Sequence, residues 1–117
     1  MRVCVPKEAA PNEKRVATTP EAVRSLTELG FDVSIEAGAG QSAGFLDTAY
    51  AESGAIIVSN TRQLWDEADV LLKVRAPLLE GPTVEVNWLH SGQTLIGFLW
   101  PAQNPALLER LAKNGVN

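Results

Sequence analysis

Apolar residues along this chain gather into five short runs instead of alternating with polar ones. The runs are Arg2–Val5 (RVCV), Asp32–Ile35 (DVSI), Ala55–Val58 (AIIV), Val70–Val74 (VLLKV) and Thr94–Leu99 (TLIGFL). Unbroken runs of Val, Ile and Leu of this length are how strands read when a parallel sheet is covered on both faces. Helical patterns fall between most of them. Pro20–Leu29 has Thr19 as a cap, Pro20 at the first helical position and Gly30 just past its end, with Val23, Leu26 and Leu29 on one face. Asp47 can cap a short helix through Ala51 that stops near Gly54, and Asn60 or Thr61 can cap another over Arg62–Glu67. Asn104-Pro105 opens a last helix in which Leu107, Leu108 and Leu111 form the apolar stripe and Gly115 follows. Leu79–Gly92 shows neither period and reads as a short helix or a surface loop. Strands alternating with helices predict an α/β domain with a mostly parallel sheet. After Gly115 the pattern asks for another strand, and only Val116-Asn117 follow. The expectation is an N-terminal piece of a longer protein or split domain, truncated before its last strand, with a sheet edge left open.

Composition narrows the function classes. A chain of 117 residues with 45% hydrophobic and 21% charged residues suits one globular domain. The net charge of −4 and the scattering of its ten Lys and Arg argue against nucleic acid, which needs a clustered basic face. No apolar run approaches the ~20 residues of a membrane span, and the N-terminus has no signal-peptide pattern. The single Cys4 lies in an apolar run and reads as a buried thiol in a reducing compartment. No His, Cys or carboxylate cluster has the spacing of metal ligands.

In open α/β sheets ligands bind outside the carboxyl ends of the strands. The first strand runs into Pro6-Lys7-Glu8 and a loop carrying Lys14 and Arg15. The fourth delivers Lys73 and then Arg75-Ala76-Pro77, and the fifth delivers Trp100-Pro101-Ala102-Gln103-Asn104. Lys73 stands inside VLLKV, where an ammonium is costly unless it is paired or faces a polar cleft. It either binds an oxygen of a small ligand, snorkels from a sheet edge, or pairs with a structural carboxylate such as Glu8. Arg15, just ahead of the helix at Pro20, either forks onto a ligand carboxylate or is solvated. Trp100 either lines the cleft or packs in the core. The glycine-rich EAGAGQSAG departs from G-x-G-x-x-G, because Ala43 stands three residues past Gly40, and it reads as turn glycine instead of a phosphate cradle. His90 precedes the fifth strand and so falls on the edge away from the cleft.

The ordered motifs VPKE, NEKRVATTPEAV, EAGAGQSAGF, LLKVRAP and GFLWPAQNP resemble the N-terminal domain shared by alanine dehydrogenase and the alpha subunit of proton-translocating NAD(P) transhydrogenase. The resemblance covers essentially the whole chain. It implies a Rossmann-like (flavodoxin-like) three-layer domain over residues 1–117, packed in the intact protein against a second Rossmann domain that supplies most contacts to NAD(H). In alanine dehydrogenases an arginine and a lysine placed like Arg15 and Lys73 hold the substrate, and a catalytic histidine follows the strand matching Thr94–Leu99. Here Trp100 takes that place, and WPAQNP is similar to the transhydrogenase branch. On that branch the resemblance implies a nicotinamide-facing cleft lined by Arg15, Lys73 and Gln103, with no catalytic residue and no metal in this piece. It also implies NADP(H)-binding and membrane components as partners, a homodimer when intact, and a place on the cytoplasmic face of the inner membrane. The alternatives are an alanine- or saccharopine-dehydrogenase-like domain for a 2-oxo acid, and a non-catalytic assembly domain.

Overall fold

A computed structural model describes residues 1–81 and 84–117. Five strands form one all-parallel sheet: β1 (Arg2–Val5), β2 (Asp32–Glu36), β3 (Ile56–Val58), β4 (Val70–Arg75) and β5 (Thr94–Phe98), in the order β3-β2-β1-β4-β5. Helices α1 (Pro20–Glu28), α2 (Asp47–Glu52) and α3 (Thr61–Glu67) link β1 to β4 in turn, and α4 (Pro105–Lys113) follows β5. All five expected strands are present, with ends displaced by one residue at β2, β3, β4 and β5. Leu79–Gly92 holds a 3-10 turn at Glu85–Trp88; its Pro82 and Thr83 lie outside the described residues.

Alternate strand residues feed two cores. Val3, Val5, Val33 and Ile35 pack with Val23 of α1 and Tyr50 of α2. Cys4, Leu71 and Leu95 pack with Leu64 and Trp65 of α3 and with Leu107 and Leu111 of α4. Helices therefore lie on both faces, which makes the domain three-layered and explains the unbroken apolar runs. The cover is uneven. On the face of α1 and α2 the outer strand β5 shows Ile96 and Phe98 to solvent.

The helix signals hold with two corrections. Thr19 Oγ1 accepts from Ala22 N at 3.2 Å and Asn60 Oδ1 from Gln63 N at 3.0 Å, as N-caps should. Asp47, expected as the cap of α2, is instead its first helical residue behind Leu46, and its carboxylate accepts from Gly38 N at 2.9 Å. That bond ties the glycine-rich turn to α2. Asn104 occupies the cap position of α4 but makes no capping bond; its Nδ2 donates to Leu99 O at 2.7 Å and Trp100 O at 3.2 Å. Of the glycines of EAGAGQSAG, Gly38 and Gly44 take the positive φ of turns, as expected, and Gly40 serves packing. A Cβ on Gly40 would sit 2.6 Å from the ring of Tyr50, whose hydroxyl donates to Thr18 O at 2.7 Å. Beyond Gly115 the backbone of Asn117 donates to Gln93 O (2.9 Å) and accepts from Leu95 N (2.8 Å). These two bonds have the pattern of a parallel bridge on the outer side of β5.

Cys4 is fully buried, and burial pushes its thiol pKa up to about 11. Since the thiolate is the nucleophile, an aromatic disulfide reagent at pH 8 is expected to titrate this thiol only as fast as the protein unfolds. Rapid stoichiometric labelling of the folded chain would contradict that burial.

Candidate functional site

The chain leaves β1 toward β2 and β3 on one side, then crosses back to β4 and β5 on the other. The crevice of a doubly wound sheet opens where those directions diverge, at the carboxyl ends of β1 and β4. The loop after β1 (Glu8, Glu13, Arg15), the end of β4 (Lys73, Arg75) and the 3-10 turn that starts at Glu85 bring three cations and three carboxylates to that place.

Glu8 turns inward as β1 ends. Its carboxylate accepts from Val74 N (3.0 Å), Arg75 N (2.9 Å) and Lys73 Nζ (3.2 Å). β1 and β4 pair only at Val3↔Val70 and Cys4↔Leu71, so on the β1 side the last amides of β4 have no strand to donate to. Glu8 takes the place of that strand. Lys73 Nζ lies between Glu8 and Glu85, whose Oε2 is 3.6 Å away, and 5.8 Å from the centre of the Trp65 ring. The three side chains are at most 3% exposed. Glu85 also accepts from Leu78 N at 3.0 Å. Burial pushes its pKa up, and the attraction of Lys73 only partly opposes that.

A second group lies beside it. Glu13 Oε1 accepts from Arg15 Nη2 (2.7 Å) and Arg75 Nε (2.8 Å), while Oε2 accepts from Arg15 Nε (2.9 Å) and Arg15 N (3.0 Å). The Glu13 side chain is only 4% exposed because the two guanidinium groups cover it, while theirs are 64% and 52% exposed. Hydrogen bonds from Arg15 and then Arg75 hold the Glu13 carboxyl well below the usual carboxylate range. The same bonds raise the pKa of Arg15. Arg75 reaches Glu13 because of a bulge. The register passes from Leu72↔Ile96 to Arg75↔Phe98, so Lys73 and Val74 together face Gly97, and such an irregularity re-aims the side chain that follows it.

The two carboxylates respond oppositely to acid. Glu13 ionises more easily in the folded chain than unfolded, so its contribution is complete above about pH 4.5 and is lost as pH falls below it. Glu85 binds its proton more tightly in the folded chain, so lowering the pH from neutrality toward that same value relieves a cost. Glu13→Gln is expected to flatten the acid limb of a stability–pH curve below about pH 4.5, whereas Glu85→Gln should leave that limb in place. Chemical denaturation across pH 3–7 would check both, and an unchanged acid limb in Glu13→Gln would refute the assignment.

Of the residues singled out in the sequence, Arg15 borders a hollow of about 390 Å3 shared with Val74, Arg75, Phe98 and Trp100. Gln103 borders an adjoining hollow of about 410 Å3 that also touches Arg75 and Trp100. Lys73 lines neither, and its partners Glu8 and Glu85 line a third hollow with Lys7, Glu36, Thr61 and Trp88. The structure thus groups Arg15 with Gln103 across a common wall and sets Lys73 in buried ion pairs. Lys14 is exposed. Trp100 does not pack in the core: it is 59% exposed and stacks on Phe98, with ring centres 6.3 Å apart. Glu13, Arg75 and Glu85 were not legible as a site. The only hints were Glu13 two residues before Arg15, Arg75 two residues after Lys73, and an acid between valines in Val84-Glu85-Val86. Among the described residues no group of three or more His, Cys, Asp or Glu could hold a metal.

A parallel sheet in this order, with charged loops gathered at its switch point, makes the chain a doubly wound α/β domain, a class whose ligands bind at the carboxyl ends of the strands. Residues 4–117 match the family described as alanine dehydrogenase/PNT, N-terminal domain, and the chain belongs to that family. It is 43% identical over 115 residues to the NAD(P) transhydrogenase subunit alpha of Cereibacter sphaeroides, covering 98% of this chain and 21% of that protein. It is 40% identical over 115 residues to the alanine dehydrogenase of Halomonas elongata, covering 98% of this chain and 30% of that one. Among solved structures it superposes on an L-alanine dehydrogenase with a TM-score of 0.91 at 36% identity, covering 99% of this chain and 31% of the other. It superposes on a transhydrogenase from Sinorhizobium meliloti with a TM-score of 0.89 at 37% identity, covering 99% and 33%. The chain therefore spans between a fifth and a third of these relatives. The domain is homologous to part of oxidoreductases, an alanine dehydrogenase and an NAD(P) transhydrogenase subunit among them, and none of its described helices is long and apolar enough to cross a membrane.

Proposed function

We propose that residues 1–117 form the N-terminal part of the NAD(H)-binding component of an NAD(P) transhydrogenase. In the intact enzyme hydride would pass between NAD(H) and NADP(H), coupled to proton translocation by membrane components, at the cytoplasmic face of the inner membrane and in a dimer. A second dinucleotide-binding domain would hold most of NAD(H).

The observation that carries this choice over amino-acid oxidation is the position of histidine. The chain has one histidine. His90 lies before β5 at the amino edge of the sheet, where its Nε2 is 3.1 Å from Asp66 O. The place after β5 is held by Trp100. Interconverting an amino acid and a 2-oxo acid needs proton transfer as well as hydride, and no imidazole of this chain reaches the crevice. Hydride passage between two nicotinamides needs placement and exclusion of water instead.

The residues present fit one ring with its carboxamide: the Trp100 indole offers a flat apolar face, while the exposed Gln103 amide and the outer edge of Arg15 offer polar partners. NAD(H) would supply the hydride carrier itself. Lys73, held by Glu8 and Glu85, would fix the floor of the crevice.

The test is complementation. Added to a transhydrogenase alpha subunit lacking the matching segment, together with the remaining components, this chain is expected to restore hydride transfer from NADPH to an oxidised NAD analogue. The chain alone is expected to transfer none. Pyruvate- and ammonium-dependent NADH oxidation by the complemented protein, without transhydrogenation, would overturn the reading in favour of a 2-oxo-acid dehydrogenase.

A further inference from the structure

Trp100 adopts φ +49, a left-handed conformation that a bulky residue rarely takes. The proline at position 101 biases the residue ahead of it toward extended backbone, which sharpens the conflict. Burial of the side chain does not offset that strain, because the ring faces solvent beside the exposed Phe98. Strained backbone persists only where its surroundings over-determine it, and it collects where a side chain must be held for a ligand.

Asn104 supplies the restraint. Its Nδ2 donates to Leu99 O at 2.7 Å and to Trp100 O at 3.2 Å, and Gln103 N donates to the same Trp100 carbonyl at 2.9 Å. These three bonds close residues 99–104 into one hook, in which Trp100, Gln103 and Asn104 border the same hollow. Asn104 also stands where α4 asks for a cap, and asparagine is among the best of capping residues. Thr19 and Asn60, at the same position of α1 and α3, both cap their helices through the side chain. Asn104 makes no such bond. Its carboxamide is diverted from helix α4 to the two carbonyls of the hook, a use that folding of the helix does not require.

We infer that Asn104 is a positioning residue for hydride transfer. It fixes the backbone at Trp100, so that the indole face and the Gln103 amide are set in place before the nicotinamide ring arrives. It touches no cofactor itself. The inference rests on the function proposed above for the identity of that ring. A nicotinamide stacked on a mobile indole would sample many distances from the second nicotinamide, and a misplacement of about 1 Å can lower a rate by roughly a hundredfold.

Asn104→Ser and Asn104→Asp separate this role from a structural one. Both new residues cap helices about as well as asparagine, and neither carries an NH2 group to hold Leu99 O and Trp100 O. Each variant is expected to melt close to the parent chain, because the cap gained by α4 offsets the carbonyl bonds lost. In the complemented transhydrogenase each is expected to lower kcat for hydride transfer from NADPH to the oxidised NAD analogue by roughly tenfold or more. KM for the analogue should change little, because the second domain holds most of NAD(H). The Asp variant adds a charge beside the hollow that Arg75 lines and the Ser variant does not, so a loss shared by both belongs to the missing donors. In the 117-residue chain alone, nitrogen relaxation of the indole N–H groups should show Trp100 fixed in the parent and mobile in both variants, with the buried Trp65 fixed throughout. A parent-like kcat in both variants, a Trp100 indole as fixed as the parent's, or a fall in rate accounted for by unfolded chain would overturn the inference and leave the function standing. Failure of the parent chain itself to complement would sink the function, and the relaxation would still decide whether Asn104 holds Trp100.

Discussion

Replacing Lys73 by alanine is expected to lower the unfolding free energy by about 3–5 kcal/mol at pH 7, the usual cost of removing one partner from a buried ion pair. For a domain whose total stability is on the order of 5–15 kcal/mol, that is a large share. The reason is what stays behind. Glu8 and Glu85 are both buried, both lie within 3.6 Å of the lost ammonium, and neither has another charged partner among the described residues. Glu8 could not swing out without abandoning Val74 N and Arg75 N. Glu85, already pushed up by burial, can take up a proton once the ammonium is gone, so the deficit of Lys73→Ala should shrink between pH 7 and pH 5. Urea unfolding at both pH values measures it. A loss under about 1 kcal/mol at pH 7 would mean that the group behaves as a hydrated surface pair. Combining Lys73→Ala with Glu85→Gln should cost less than the sum of the two single changes, because they share one interaction.

Gly97→Val is expected to cost about 1–3 kcal/mol, as overpacked sites do. A Cβ on Gly97 would stand 2.7 Å from the Lys73 carbonyl oxygen. That obstacle is backbone, so no rotamer change removes it. Relief requires β4 and β5 to separate where Lys73 and Val74 face Gly97 alone, and the separation would carry Arg75 away from Glu13. Thermal unfolding should show the loss, and the Arg75 Nε–H resonance should lose its bonded position. A variant as stable as the parent, with that resonance unmoved, would show that the bulge does not depend on glycine.

The two predictions also separate what the sequence showed from what it hid. The strands were legible because a sheet covered on both faces needs unbroken apolar runs. Lys73 was legible for the same reason, as the one charge inside such a run. Glu8 could be named as its partner because it leaves the neighbouring strand at the same edge. Glu85 was hidden because Leu79–Gly92 follows no period, and a 3-10 turn of four residues writes none. Arg75 could be placed at the carboxyl edge with Lys73, but nothing local announces that a bulge turns it toward Glu13. Asp47 was misread as a cap by a correct rule: its carboxylate prefers the amide of Gly38, a contact made across a turn. Trp100 was left open between core and cleft because exposure of an aromatic is decided by which helices cover the strand, and over that face of β5 the described residues supply none.

The order of the strands has a consequence for how the chain reaches this state. β1 is the first strand synthesised and sits at the centre, yet Arg2 pairs with Asp32 and Val3 with Val70. Only β1 and β4 pair out of sequence order, but because every pairing is parallel, even consecutive strands are separated by a crossover. Every parallel pairing must close a long loop before it is rewarded, and topologies of that kind fold slowly for their size. On the ribosome, β1 would wait through the synthesis of most of the domain with an unpaired apolar edge. The Glu8–Lys73 contact, which clamps the last pairing of β1 against β4, would then be among the latest native interactions to form.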